Sequence, residues 1–145
     1  MNENRGLWRG KTTPKRNGEA FDSVWVEGDL IHSVDLCYIH PITNSVKVQE
    51  ELGRFIVMHE VAPSTLGKCV GFRDKNRILM FEGDVITYKS ITGKMWVAKI
   101  IYSVNKCRFV QETSSGQTFE IARKYANCYE VIGNIHDNPG LIQKR

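Results

Sequence analysis

Glu82 and Asp84 stand two residues apart around Gly83, inside the stretch GFRDKNRILMFEGDVITYKS at 71–90. A β-strand turns alternate side chains to one face, so this spacing would set two carboxylates side by side, as a general-acid pair or a metal site requires. The same tripeptide recurs as Glu27-Gly28-Asp29 in WVEGDLIHSV at 25–34. Two copies of a catalytic device would need two sites, and the pair at 82 and 84 has no His and no third ligand nearby. The tripeptide is therefore expected to be scaffolding. Gly83 supplies a positive φ or a bulge where a strand begins, Asp84 accepts from nearby backbone amides, and Val85, Ile86 and Tyr88 follow into the strand. Gly28 and Asp29 are expected to do the same ahead of Leu30 and Ile31.

The other reactive residue types do not assemble into a motif. His32, His40, His59 and His136 lie in separate segments, and Cys37, Cys69, Cys107 and Cys128 are widely spaced, with no Cys-x-x-Cys. That pattern excludes a zinc knuckle or a dithiol redox centre written in sequence. Phosphate-binding loops, dinucleotide fingerprints and nucleophile elbows are also missing from the sequence. No catalytic residue, metal or cofactor is expected, and the chain reads as a non-enzyme. Trp25, Trp96, Tyr88, Tyr102 and Phe109 would offer stacking platforms for bases if they faced outward; on alternating strands most are expected to face the core.

The chain has 145 residues, enough for one domain or a domain with an appendage, and for a core that needs no disulfide or metal. Its first residues are polar, and its longest apolar runs, Phe55 to Met58 and Ile78 to Phe81, fall far short of a membrane span. A soluble protein kept in a cytoplasm, with four reduced thiols serving mostly as small apolar residues in strands, is the expectation. The net charge of +4 hides an uneven distribution: residues 17–67 hold two basic and eight acidic residues, and residues 68–108 hold nine basic and three acidic. Lys89, Lys94, Lys99, Lys106 and Arg108 in the basic segment would meet phosphates if they shared one face; otherwise they are solvated positions on strands and turns.

A period of two dominates the second half. Trp96, Ala98, Ile100, Tyr102 and Val104 alternate with Lys99 and Ser103, which predicts a strand from Met95 to Val104 lying on a core. Strands are also predicted over DVITYKS, Cys107 to Gln111, Gln117 to Ile121 and NCYEVIGNI, with turns at ITGK and ETSSGQ and one short helical turn at IARKYAN. Five short strands at roughly ten-residue spacing predict a small barrel or roll.

GFRDKNRILMFEGDVI resembles the signature of the YopX family of phage and prophage proteins, in which an Asp-Lys-Asn turn and a Glu-Gly-Asp entry follow in this order. WRGK at 8–11, WVEGDLI at 25–31 and YEVIGNIHDNP at 129–139 agree with it. The resemblance implies an all-β fold with an SH3-like barrel in the C-terminal half, here residues 67–145, and an N-terminal β region over 1–66. It implies a phage or prophage gene acting in a bacterial cell, and no established activity, cofactor or catalytic residue.

Two departures stand out. The family has Gly after Asp-Lys-Asn where this chain has Arg77, so a positive φ there would fall to Asn76 or be relieved by a longer loop. Ile78, Leu79, Met80 and Phe81 would be apolar on both faces of their strand and need a cover, either from the N-terminal region or from a second copy. The stretch TTPKRNGEA carries Lys15 and Arg16 at a loop tip or hairpin end. The expected function is a non-enzymatic accessory protein that binds a host or phage protein through sheet edges or the 78–81 hairpin, with self-association as a further possibility. The alternative is a nucleic-acid-binding module built on 68–108.

Overall fold

The computed structural model describes residues 6–12, 15–16, 19–20, 23–32, 36–41 and 59–142. The apolar run at 55–58 lies outside them. The described chain is all-β, with 3-10 turns and no α-helix, and its strands form antiparallel ladders of six and five members besides one two-stranded hairpin. It divides into two compact units, Gly6–Lys68 and a second that begins at Cys69.

In the first unit the strands are β1 (Trp8–Lys11), β2 (Lys15–Arg16), β3 (Glu19–Ala20), β4 (Trp25–His32), β5 (Cys37–Pro41) and β6 (His59–Val61). β4 is central, flanked by β1 and β5, and β6 pairs with β5. β2 and β3 form the separate hairpin, so Lys15 and Arg16 lie on paired backbone. Gly28 pairs with Trp8 on one side and Pro41 on the other, which places Gly28 and Asp29 in the middle of β4 and not at a strand entry. Two neighbouring strands already supply their backbone partners, so no turn is needed there. Gly10 lets Val61 pack against the β1 backbone: a Cβ at position 10 would lie 2.9 Å from both Cβ and Cγ2 of Val61. Ile39 and Val61 are buried. Thr65 Oγ1 accepts the Lys11 N–H at 2.8 Å, and Thr12 Oγ1 accepts the Val24 N–H at 2.9 Å.

β7 (Gly67–Arg73) carries the chain from one unit into the other; its Gly67 and Lys68 pair with β1, and its Cys69 and Arg73 with β8 (Leu79–Phe81). Then follow β9 (Asp84–Lys89), β10 (Met95–Ser103), β11 (Arg108–Thr113), β12 (Thr118–Glu120), a 3-10 turn over Arg123–Cys128, and β13 (Tyr129–Asn134). Their order in the sheet is β12-β11-β10-β9-β13, a meander whose last strand returns to pair with its first. Met80, Ile86, Ile100, Ile121 and Tyr129 form the core of this unit. β10 ends at Ser103, so the expected apolar face stops short: Tyr102 is 45% exposed and Val104, in the following turn, 79%.

The expected closed barrel is not found among the described residues; β12 and β13 are the two edges of the sheet. β12 is three residues long. The outer edge of β13 is occupied by a turn: Tyr129 C=O accepts the Lys75 N–H at 3.0 Å, and the Val131 N–H is bonded by Asp74 at 2.8 Å.

One turn design recurs in this unit. Asp74, Ser90 and Thr113 each precede a three-residue loop whose third residue donates its N–H back to their C=O, while their own N–H donates to the C=O of the residue after the loop and closes the hairpin. The third loop residue takes a left-handed φ: Gly93 and Gly116 at 86°, and Arg77 at 63°. The strained position at Asp-Lys-Asn-Arg is thus taken by Arg77 itself and not by Asn76. Asp74 accounts for this, because its Oδ1 accepts the N–H groups of Asn76 and Ile78, each at 2.8 Å, and holds Lys75 and Asn76 in the right-handed part of the turn.

Glu82-Gly83-Asp84 is built as expected. Gly83 has φ 94°, donates to Ile100 C=O at 2.8 Å and accepts from the Ile135 N–H at 2.9 Å. Asp84 is buried and its Oδ2 accepts the Phe81 N–H at 2.8 Å. The carboxylate fastens the turn that starts β9.

Candidate binding site: an aromatic pocket on the C-terminal sheet

Strand register sets Tyr129, Tyr88 and Trp96 in one cross-strand row over β13, β9 and β10. Alternation places this row on the same face as Ala98 and Ile100, whose partners across β11 are Thr113 and Gln111; Gln111 in turn faces Phe119 on β12. The 3-10 turn before β13 adds Tyr125. Tyr88, Trp96, Gln111, Phe119, Tyr125 and Tyr129, together with Glu120, line a cavity of about 200 Å³.

Tyr129 is its floor, with no exposed surface, and its ring meets Tyr88 at a centroid distance of 5.5 Å. Trp96 and Phe119 form a second wall, also 5.5 Å apart and tilted by 50°. Phe119 and Tyr125 are about 40% exposed and stand at the mouth. Two polar groups fix the walls: the Gln111 Nε2 donates to Glu120 C=O at 3.1 Å, and the Ala122 N–H donates to Tyr129 Oη at 3.2 Å. Burial raises the Tyr129 phenol pKa above its ordinary value, partly offset by the Ala122 hydrogen bond, so the hydroxyl stays protonated at neutral pH.

Charge lies at the rim. Lys94 Nζ sits 4.3 Å from the Trp96 ring centre, and Lys124 Nζ 5.1 Å from that of Tyr125. Neither ammonium is in an ion pair among the described residues. The Glu120 carboxylate is directed to Arg108, at 3.0 Å. The arrangement can hold a flat apolar group between π-faces, with positive charge beside it.

The five basic residues singled out in sequence do not behave alike. Lys94 is at the pocket. Lys99 is 3.4 Å from Glu112, Arg108 is paired with Glu120, and Lys106 bonds Thr118 from a hairpin turn. Lys89 lies opposite Met95 at the far end of β9. Within the 78–81 stretch, Met80 and Phe81 are buried, Leu79 is half-buried, and Ile78 alone is largely exposed, at 47%. The cover that this strand requires therefore comes, for Met80, from Ile86, Ile100, Ile121 and Tyr129. Cys37 and Cys69 lie on strands, whereas Cys107 and Cys128 are exposed on turns, so only two of the four sit in strands as expected.

Sequence inspection identified Tyr88 and Trp96 but passed over Phe119, Tyr125 and Tyr129. Tyr125 carried no periodic signal, since it lies in a 3-10 turn. Tyr129 and Phe119 lay within predicted strands, and the register that brings them beside Tyr88 and Trp96 is a tertiary property.

The family model described as YopX protein matches residues 19–143. No curated protein matches the chain. Among solved structures it is similar to the crystal structure of protein EF1440 from Enterococcus faecalis, with 19% identity over 95% of this chain and 97% of that one, at a TM-score of 0.46. With the family model spanning most of its length, and with the Asp-Lys-Asn turn and Glu-Gly-Asp entry placed as that resemblance implies, the chain belongs to the YopX protein family.

Proposed function

We propose that this chain is a non-enzymatic binding module of a phage or prophage, acting in the cytoplasm of the host cell, and that its contact site is the aromatic pocket of the C-terminal sheet. The carrying observation is the convergence of five aromatic side chains from β9, β10, β12, β13 and a 3-10 turn on one cavity, two of them exposed at its mouth. Burying a partner's flat group there would remove apolar surface of both partners from water, as binding pockets of this kind do. We further propose that the meander is an open SH3-like roll. Its order β12-β11-β10-β9-β13, with a 3-10 turn before the returning strand, supports that assignment.

Protein binding by strand addition is a second reading, favoured by the position of β12. It pairs with β11 on one side and is the outer strand of the sheet, with all three of its residues exposed.

A photo-crosslinking phenylalanine analogue placed at Phe119, with one at the fully exposed Ile91 as control, tests the site in host cells carrying the phage. Adducts are expected from position 119 and not from 91. Equal or absent adducts at both would overturn the pocket as the contact site.

A further inference from the structure

We infer, building on the binding role assigned above to this pocket, that its ligand is an unpaired base of a single-stranded nucleic acid, with Lys94 and Lys124 meeting the flanking phosphates. Five aromatic side chains line a cavity of about 200 Å³, and every base has a π-face that can stack on such a side chain. Both rim ammonium groups lie outside ion pairs among the described residues, and both stand over wall aromatics, Lys94 on Trp96 and Lys124 on Tyr125. They bracket the mouth with positive charge, which complements a phosphodiester and opposes a cationic guest.

A methylated or free ammonium ligand would need the opposite arrangement, aromatic faces vacant and a carboxylate turned inward. Here two faces already carry lysines, and the carboxylate of Glu120 is held by Arg108 at 3.0 Å. An apolar side chain of a protein partner would leave both lysines without a role. A duplex keeps its bases stacked and paired, so it cannot present one to a cavity whose floor, Tyr129, is fully buried.

Fluorescence anisotropy with the full chain tests this, using labelled oligothymidylate, an abasic oligomer with the same phosphates, and a duplex. Oligothymidylate is expected to bind, with the abasic strand and the duplex each weaker by about tenfold or more, the order of one base stack. Two phosphate contacts predict a slope of log affinity against log salt of about −1.4. Lys94→Gln with Lys124→Gln, both on exposed residues, should remove most of that slope while the fold is retained, and Tyr125→Ala at the mouth should weaken oligothymidylate without changing the abasic strand. Equal binding of oligothymidylate and the abasic strand, tighter binding of the duplex, or no binding of any probe at about 50 mM salt would overturn the inference. A protease-sensitive, nuclease-resistant adduct at Phe119 in cells would likewise overturn it while leaving the pocket as a contact site for protein; adducts equal to the Ile91 control would remove the broader assignment as well.

Discussion

Asp74 Oδ2 accepts the backbone N–H of Val131 at 2.8 Å, joining a hairpin turn to the edge of β13 across 57 residues of sequence. The same carboxylate holds Asn76 and Ile78 through Oδ1, so one buried group carries three backbone amides. Hydrogen bonds to an ionised acceptor are stronger than neutral ones, and a buried amide left without a partner costs more than the bond was worth. Lys75 adds its own N–H to Tyr129 C=O and a 3.0 Å ion pair with Glu130.

Asp74→Asn separates the two roles. An amide can keep its oxygen toward Asn76 and Ile78, which leaves its NH₂ facing the Val131 N–H, donor against donor. The expected cost is about 2 kcal/mol, with faster amide hydrogen exchange at Val131 and little change at Asn76 and Ile78. Equal acceleration at all three amides would refute this division of labour.

Arg77 sits at φ 63° in a turn whose two counterparts use Gly93 and Gly116. A left-handed conformation costs a residue with a Cβ about 1–2 kcal/mol, and glycine gives back part of that in unfolded-state entropy. The Arg73 Nη1 bond at 3.0 Å goes to the Arg77 carbonyl and survives substitution. Arg77→Gly should therefore raise stability by about 0.5–1 kcal/mol, read as an increased urea midpoint at unchanged slope.

Gly10→Ala should do the reverse in the N-terminal unit. Its Cβ would meet Val61 Cβ and Cγ2 at 2.9 Å, and a β-branched side chain packed at 1% exposure has no free rotamer to yield. Overpacking of this kind costs about 1–3 kcal/mol. Hydrogen exchange in β1, β4 and β5 should rise, while the β9–β13 sheet stays protected.

Tyr129 makes the C-terminal unit sensitive to alkali. Its folded pKa is raised by burial above the ordinary 10.0, so the folded state holds the phenolic proton more tightly than the unfolded state does. That contribution is whole below pH 10 and is lost as the pH rises through the folded value. Tyr129→Phe removes the acceptor of the Ala122 N–H and should cost about 1 kcal/mol at neutral pH. Above pH 10 the gap between wild type and variant should narrow, because only the wild type loses stability through this group. A gap constant from pH 7 to 11 would count against a raised phenol.

Much of the fold was legible in the chain itself. Alternation over 95–103, glycines in the 90–94 and 113–117 turns, and the Gly83-Asp84 step each encode a local geometry with a local cause, and β9 to β13 follow from them. The same composition misled at Gly28-Asp29, where an identical tripeptide runs through the middle of β4 because strands stand on both sides of it. At Arg77 it also misled, since a distant amide, that of Val131, helps hold Asp74 and so the turn.

The sequence by itself determined that this protein is all-β, that its second half is a run of short strands, and that its family is YopX, because period, turn chemistry and motif order are local properties; the open order of those strands, in place of the expected barrel, was set by tertiary pairing. Tertiary structure alone decided which aromatics meet. Tyr88 and Tyr129 are 41 residues apart and Trp96 and Phe119 are 23, and only strand register brings their rings to 5.5 Å. It also decided what each lysine meets: Lys94 and Lys99 are alike in sequence, yet pairing sets Lys99 against Glu112 and leaves Lys94 over Trp96. Register is a long-range property, and a shift of one residue would have turned each of these side chains to the other face.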